Sequence, residues 1–234
     1  MKELVLMVEG QGDIAAAGNL AVRMMERVHA NSTPAFYVGN VMKVGDIYAL
    51  LAPEKQSHQK YNTKLVRFLK AAENKPDLGA VLILLDGDAK KQRSIPTIEG
   101  PKEFCSARIG YFIVEQAMKY TQAGQTYSLA VVFANQEFES WILAGHPKLS
   151  EYTVNEPLEE TPRDAKKRIW EITKQPYNEA TDQIAYTRGI DIDGILQRKP
   201  EMRSFRRFDN AIREIDKAAR DGVYVCTPIA KPIN

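Results

Sequence analysis

The sequence predicts an α/β protein with a mostly parallel sheet and helices on both faces, and three observations lead there. Short, almost wholly apolar runs recur at residues 4–8, 80–85 and 129–133, as strands buried on both faces require. Segments with apolar residues at helical spacing separate them. Acidic residues follow each run: Glu9, then Asp86 and Asp88, then Glu137 and Glu139.

Taken in order, residues 4–8 read as a strand that ends in the tight turn Glu9-Gly10-Gln11-Gly12-Asp13. Ile14, Ala17, Leu20, Ala21, Met24, Met25 and Val28 then mark one face of a helix, with Asp13 placed as its N-cap. Residues 36–38 suggest a second strand, and 46–52 fit neither period. Leu65, Val66, Leu69 and Ala72 predict a helix that stops near Pro76. Residues 80–85 form the most apolar run and the expected central strand. A helix is marked by Phe104, Ala107, Tyr111, Val114 and Met118, a strand by 129–133, and another helix from Phe138, Trp141 and Ile142. This alternation favours parallel pairing. After Pro147 proline and charge increase, and residues 163–175 and 203–219 look helical. The expected organisation is a metal-binding α/β region over 1–147 and a helical extension over 148–234.

Composition narrows the function classes. The 234 residues are 44% hydrophobic and 26% charged, which is ordinary for a globular protein. A net charge of +2 gives no bulk attraction to nucleic acid, so such binding needs a local basic patch. The two cysteines, Cys105 and Cys226, have no CxxC spacing, and the three histidines, His29, His58 and His146, have no ligand spacing. No apolar run approaches the roughly 20 residues that span a bilayer. No signal-peptide pattern is visible, and a cytoplasmic location is expected.

In open α/β sheets, chemistry gathers at the carboxyl ends of strands. Five carboxylates there repel one another in a partly desolvated cleft, and a divalent cation relieves the cost. An all-oxygen set points to Mg²⁺ or Mn²⁺. Asp86 and Asp88 are alternate residues, so extended backbone would present both to one metal. Glu9 is then a further ligand or a general acid-base. Glu137 and Glu139 would not share a helical face, so one of them is expected to reach the metal. Asp13 is read as a cap rather than a ligand. A dinucleotide fingerprint, a phosphate-binding GxxxxGK[ST] loop and a GxSxG elbow are all absent from the sequence.

Val8-Glu9-Gly10-Gln11-Gly12-Asp13 with Leu85-Asp86-Gly87-Asp88 resembles the toprim pattern. The block from Gln136 to Ala144, Gln-Glu-Phe-Glu-Ser-Trp-Ile-Leu-Ala, resembles a bacterial toprim-like family of unassigned function, as do Arg163-Asp164-Ala165-Lys166, the stretch from Tyr177 to Gln183, and Ser204-Phe205. The resemblance implies a toprim-like fold, a Mg²⁺ site, and kinship with nucleases of the overcoming-lysogenization-defect type. Those nucleases often act beside an ATPase in defence against phage. By position it makes Glu9 the general acid-base and Asp86 and Asp88 metal ligands. The expected activity is cleavage of nucleic acid, with DNA as the favoured substrate. The rival expectation is a non-catalytic adaptor that binds an ATPase partner or a nucleotide.

Other residues carry two readings each. Lys166 either contacts a scissile phosphate or lies on a solvated helix face beside Lys167 and Trp170. Arg203, Arg206, Arg207 and Arg213 form a basic stripe, read either as phosphate contacts or as surface charge over a packed Phe205–Phe208 pair. Trp141 is expected in the core. Asp182 either completes the acidic site or caps the turn after Tyr177.

Overall fold

The computed structural model describes residues 1–29, 32–54, 62–88, 94–160, 164–197 and 201–228. His58 and Arg163 lie outside these. Along the described residues run β1 (Lys2–Val8), α1 (Gln11–Val28), β2 (Phe36–Lys43), α2 (Ile47–Leu51), α3 (Lys64–Glu73), β3 (Leu78–Asp86), α4 (Ser106–Tyr120) and β4 (Ser128–Ala134). There follow α5 (Glu139–Gly145), α6 (Pro147–Ser150), α7 (Ala165–Thr173), α8 (Asp182–Arg188), α9 (Ile192–Gln197), α10 (Arg203–Arg220) and β5 (Cys226–Thr227).

All pairings in the five-stranded sheet are parallel, in the order β2-β1-β3-β4-β5. Alternate strand residues explain why the runs are apolar throughout. Leu4, Leu6, Val8, Leu82, Leu84, Ala130 and Val132 join a core with α1 and α10. Their neighbours Val5, Met7, Val81, Ile83, Leu85, Leu129 and Val131 join a second core with α2, α3 and α4. Each such side chain contributes about 1.5–3 kcal/mol on full burial, so a charge at Leu82 would break the layer it faces. The chain steps from β1 outward to β2 and then back across to β3. That reversal opens a crevice at the carboxyl ends of β1 and β3, where doubly wound sheets take ligands.

The structure extends several expectations. The stretch around 46–52 contains α2, whose N-cap Asp46 accepts the Ala49 N–H at 2.7 Å. Asp13 is not the N-cap of α1; that place belongs to Gly10, and Asp13 occupies the third helical position and accepts the Gly10 N–H at 2.7 Å. β2 runs on past Val38 to Lys43, with an irregular register against β1 between Leu4 and Leu6. Asn40 N–H at this irregularity is taken by Glu3 Oε1 at 3.0 Å.

The helices after residue 147 pack directly on the sheet. Phe205 and Phe208 of α10 sit 5.2 and 5.4 Å from the Trp141 ring, in the same core as β1, β3 and β4. Trp141 is fully buried and donates its indole N–H to Ser204 Oγ at 2.9 Å. None of the described helices is long and apolar enough to cross a membrane.

Candidate functional site

The crevice between β1 and β3 is closed at its carboxyl end by acids. Glu9 follows β1 directly, and its Oε2 accepts the Asp86 N–H at 3.3 Å. Asp86, the last residue of β3, accepts the Phe138 N–H on Oδ1 at 3.0 Å, which draws the segment before α5 across the strand ends. Gly87 continues the path by donating to Ala134 O at 2.7 Å. A Cβ on Gly87 would stand 2.8 Å from Asn135 Oδ1 and 2.9 Å from Ala134 O, so β3 and β4 approach this closely only over glycine. Glu139 opens α5 and is only 2% exposed.

Charge repulsion shows which acids meet. Burial chiefly raises the Glu9 pKa, to about 7, with the charges of Asp88, Asp46 and Asp13 adding and the Asp86 N–H opposing. Although part of Asp86 reaches solvent, its carboxyl group is enclosed. Burial, then Asp13, Glu139 and Glu9, hold it well above the usual carboxylate range. Glu139 is pushed to about 7 by burial, against the pull of Lys166. Glu137 is also raised, by burial and then by Asp88 and Asp164, with Lys166 opposing, and its buried Oε2 has no hydrogen-bond partner. Both glutamates therefore enter the cluster, Glu139 on the Asp86 side and Glu137 on the Asp88 side.

A cation answers them from the C-terminal helices. Lys166 Nζ lies 2.5 Å from Glu179 Oε1 and 3.9 Å from Glu139 Oε1. Burial lowers the Lys166 pKa, but Glu139, Glu179 and Glu137 outweigh it and raise the value above that of a free lysine. The solvated-face reading of Lys166 gives way to a place in the cleft, held on α7 by the Asp164 cap (Lys167 N–H to Oδ1, 3.2 Å). Asp13, whose Oδ2 caps Gly10, takes Gln183 Nε2 on Oδ1 at 2.7 Å. Asp182 accepts the Asn178 N–H at 2.7 Å and closes its own turn, in line with the capping reading. Tyr177 is half-buried with its hydroxyl unbonded; burial first, and then the charge of Glu139, disfavour its ionisation.

The arginine stripe divides. Arg203 and Arg207 are exposed, whereas Arg206 reaches Leu196 O at 3.4 Å and Arg213 pairs with Asp209 at 2.8 Å. Arg203 begins α10 beside the end of β4, where Ser204 Oγ accepts the Asn135 N–H at 3.1 Å. Arg207 lies further out, against a cavity of about 210 Å³ between α4 and α10. The N-terminus of α10 is already satisfied by buried Glu159, which accepts the Ser204 N–H at 2.8 Å and the Phe205 N–H at 3.3 Å.

Asp46, Glu179 and Gln183 were not foreseen as part of this site. Asp46 had a signal, since Val44-Gly45-Asp46 repeats the strand-end grouping of glycine and acid seen at Glu9-Gly10 and Asp86-Gly87. Glu179 and Gln183 fall in the Tyr177–Gln183 stretch that carries part of the family resemblance, but their approach to α1 is a long-range contact that no local spacing shows. The donors gathered are oxygens alone, the chemistry that suits Mg²⁺ or Mn²⁺. Among the described residues, no three carboxylate, imidazole or thiolate groups converge into a ready ligand shell. The orphaned Glu137 oxygen and the proton-holding Glu9 and Glu139 are groups that a divalent cation would satisfy. Comparison with known proteins finds no matching family model, no matching curated protein and no matching solved structure. The fold and site define an α/β protein with an acidic cleft at the switch point of its sheet.

Proposed function

We propose that the chain is a Mg²⁺- or Mn²⁺-dependent nuclease of the toprim type, hydrolysing phosphodiester bonds in nucleic acid. One observation carries the reading. Glu9, Asp86 and Glu139, from three separate chain segments, border one cleft in which burial first, and then the charge of neighbouring acids with Asp13 common to all three, raises each pKa. Perturbed acids gathered at a switch point are what metal-assisted phosphoryl chemistry uses.

Asp86, Asp88 and one of Glu137 and Glu139 would hold the metal. Bound there, it supplies charge to the phosphate and to the leaving oxygen. Glu9, with a pKa of about 7, is matched to proton transfer near neutral pH. Lys166 sits at the Glu139 side of the cleft, where it would neutralise a non-bridging phosphate oxygen and hold the strand in place. Arg203 and Arg207, exposed on α10, are the stripe residues free to meet the phosphate backbone; Arg206 is engaged with Leu196.

A second reading has its own support. The absence of three converging ligands among the described residues, with Lys166 already compensating Glu139, suits a non-catalytic adaptor that docks on an ATPase partner or takes a nucleotide. The test is cleavage of supercoiled plasmid and of a single-stranded circle with Mg²⁺ or Mn²⁺, beside Asp86→Asn and Glu9→Gln. The nuclease reading expects cleavage that disappears in chelator and falls at least about 100-fold in each variant. Cleavage that persists equally in both variants would assign it to a contaminant and favour the adaptor.

A further inference from the structure

α7 carries a feature that the acidic cleft itself does not use. Ala165 and Ile169 bury one side of this helix in the core, with Ile172 packed beside them. Lys166 leaves the core toward Glu139 and Glu179. Four residues on stands Trp170, 47% exposed, while Trp141, the other tryptophan of the chain, is fully buried. Residues four apart are neighbours on a helix surface, so the indole and the Lys166 side chain leave adjacent positions of α7. Lys167 flanks the indole at three residues' distance, and the Lys167 side chain is 62% exposed. Glu171, the adjacent acid, is engaged by Arg168 at 3.4 Å and by Lys167 at 4.0 Å.

We propose that Trp170 is a base-stacking platform and that the substrate of the cleft is a single-stranded nucleic acid. The inference rests on the nuclease reading and names its substrate class. Four helical residues advance about 6 Å, a distance comparable to one nucleotide of an extended strand. A phosphate drawn to Lys166 therefore leaves its neighbouring base over Trp170, with Lys167 beside the backbone. A base inside a duplex has both faces covered by its neighbours, so only an unstacked base can lie on this ring. Stacking of this kind tolerates any sequence, because every base has a π-face. It also suits a chain of net charge +2, which has little long-range hold on a duplex.

The test is binding of labelled oligothymidylate and of a hairpin duplex, followed by fluorescence anisotropy in chelator, where no cutting occurs. Tryptophan quenching is followed in parallel. Single-strand binding is expected to exceed hairpin binding, to weaken about tenfold or more in Trp170→Ala, and to be largely retained in Trp170→Phe. Quenching should vanish in Trp170→Phe, since only buried Trp141 remains. Equal affinity of Trp170→Ala and the unaltered chain overturns the stacking role, and so does a preference for the hairpin; either result leaves metal-dependent cleavage standing. Absence of both binding and cleavage removes the nuclease reading along with it.

Discussion

The two ends of the sheet treat carboxylates in opposite ways. At the amino end each buried acid has a partner. Glu3 accepts Lys75 Nζ at 2.8 Å and the Asn40 N–H at 3.0 Å, and although burial opposes it, these contacts lower its pKa. Asp216 of α10 accepts the Ala35 N–H at 3.1 Å, pairs with His29 Nε2 at 2.8 Å and with Arg220 Nε at 2.9 Å. At the carboxyl end Glu9, Asp86, Glu137 and Glu139 are raised by burial and then by neighbouring acids, and Lys166 offsets this only for Glu137 and Glu139. The fold is fastened at one end and holds uncompensated charge at the other. A sheet stabilised at its base can tolerate a strained rim, and rims of this kind are where function sits.

The largest effect should come from breaking the fastened end. Asp216→Ala removes the carboxylate shared by His29 Nε2, Arg220 Nε and the Ala35 N–H, and chemical denaturation should show a loss of about 3–5 kcal/mol. An equally stable variant would mean that water replaces the carboxylate there at no cost.

The rim should announce itself through pH. Glu139 has a folded pKa near 7, against 4.5 for a free glutamate, and the folded state binds the extra proton between those values. The stabilisation is therefore complete below about pH 4.5 and is lost as pH rises through 7. Glu9 acts in the same direction. Metal-free protein should melt several degrees lower at pH 8 than at pH 5, for a change of about 1–3 kcal/mol. The lowered pKa of Glu3 acts with the opposite sign, below this window. Mg²⁺ should offset the loss most at pH 8, where the carboxylates are ionised. A melting temperature that rises between pH 5 and 8 in chelator would reverse the contrast between the two ends.

The smallest effect is the most pointed. Glu139→Gln should leave metal-free stability unchanged or raise it by about 1 kcal/mol at pH 8, because it removes a repelled charge. If the proposed nuclease reading holds, the same substitution should also lower metal-dependent plasmid cleavage. A strongly destabilised Glu139→Gln would mean that Lys166 depends on this carboxylate for its own burial.

Sheet and cleft were legible in the sequence to different depths. Residues 80–85 are the best candidate in the sequence for a central strand, and Glu9 and Asp86 inherit their places from where such strands stop. The helices α2, α6, α8 and α9, each seven residues or shorter, pass beneath the length at which a 3.6-residue period can be seen. β5 is two residues long and is held in register with Leu129 and Ala130 by the fold around it. Lys166 could be placed on a helix but not beside Glu139, because 27 residues separate them in the chain. The N-cap of α1 was misplaced by three positions, at Asp13 instead of Gly10, since Gly10 has no side chain to mark the helix start.

Gly12 offers a handle of a different kind. A Cβ there would fall 2.2 Å from Gln183 Oε1 and 2.8 Å from the backbone oxygen of Glu179, so the first turn of α1 and the loop before α8 touch through a missing methyl group. An alanine at this position would act as a wedge, prising the loop that carries Glu179 off the helix while every carboxylate stays chemically intact. It would let an engineer loosen the grip on Lys166 by steric means alone, and so tune the openness of the cleft separately from its charge.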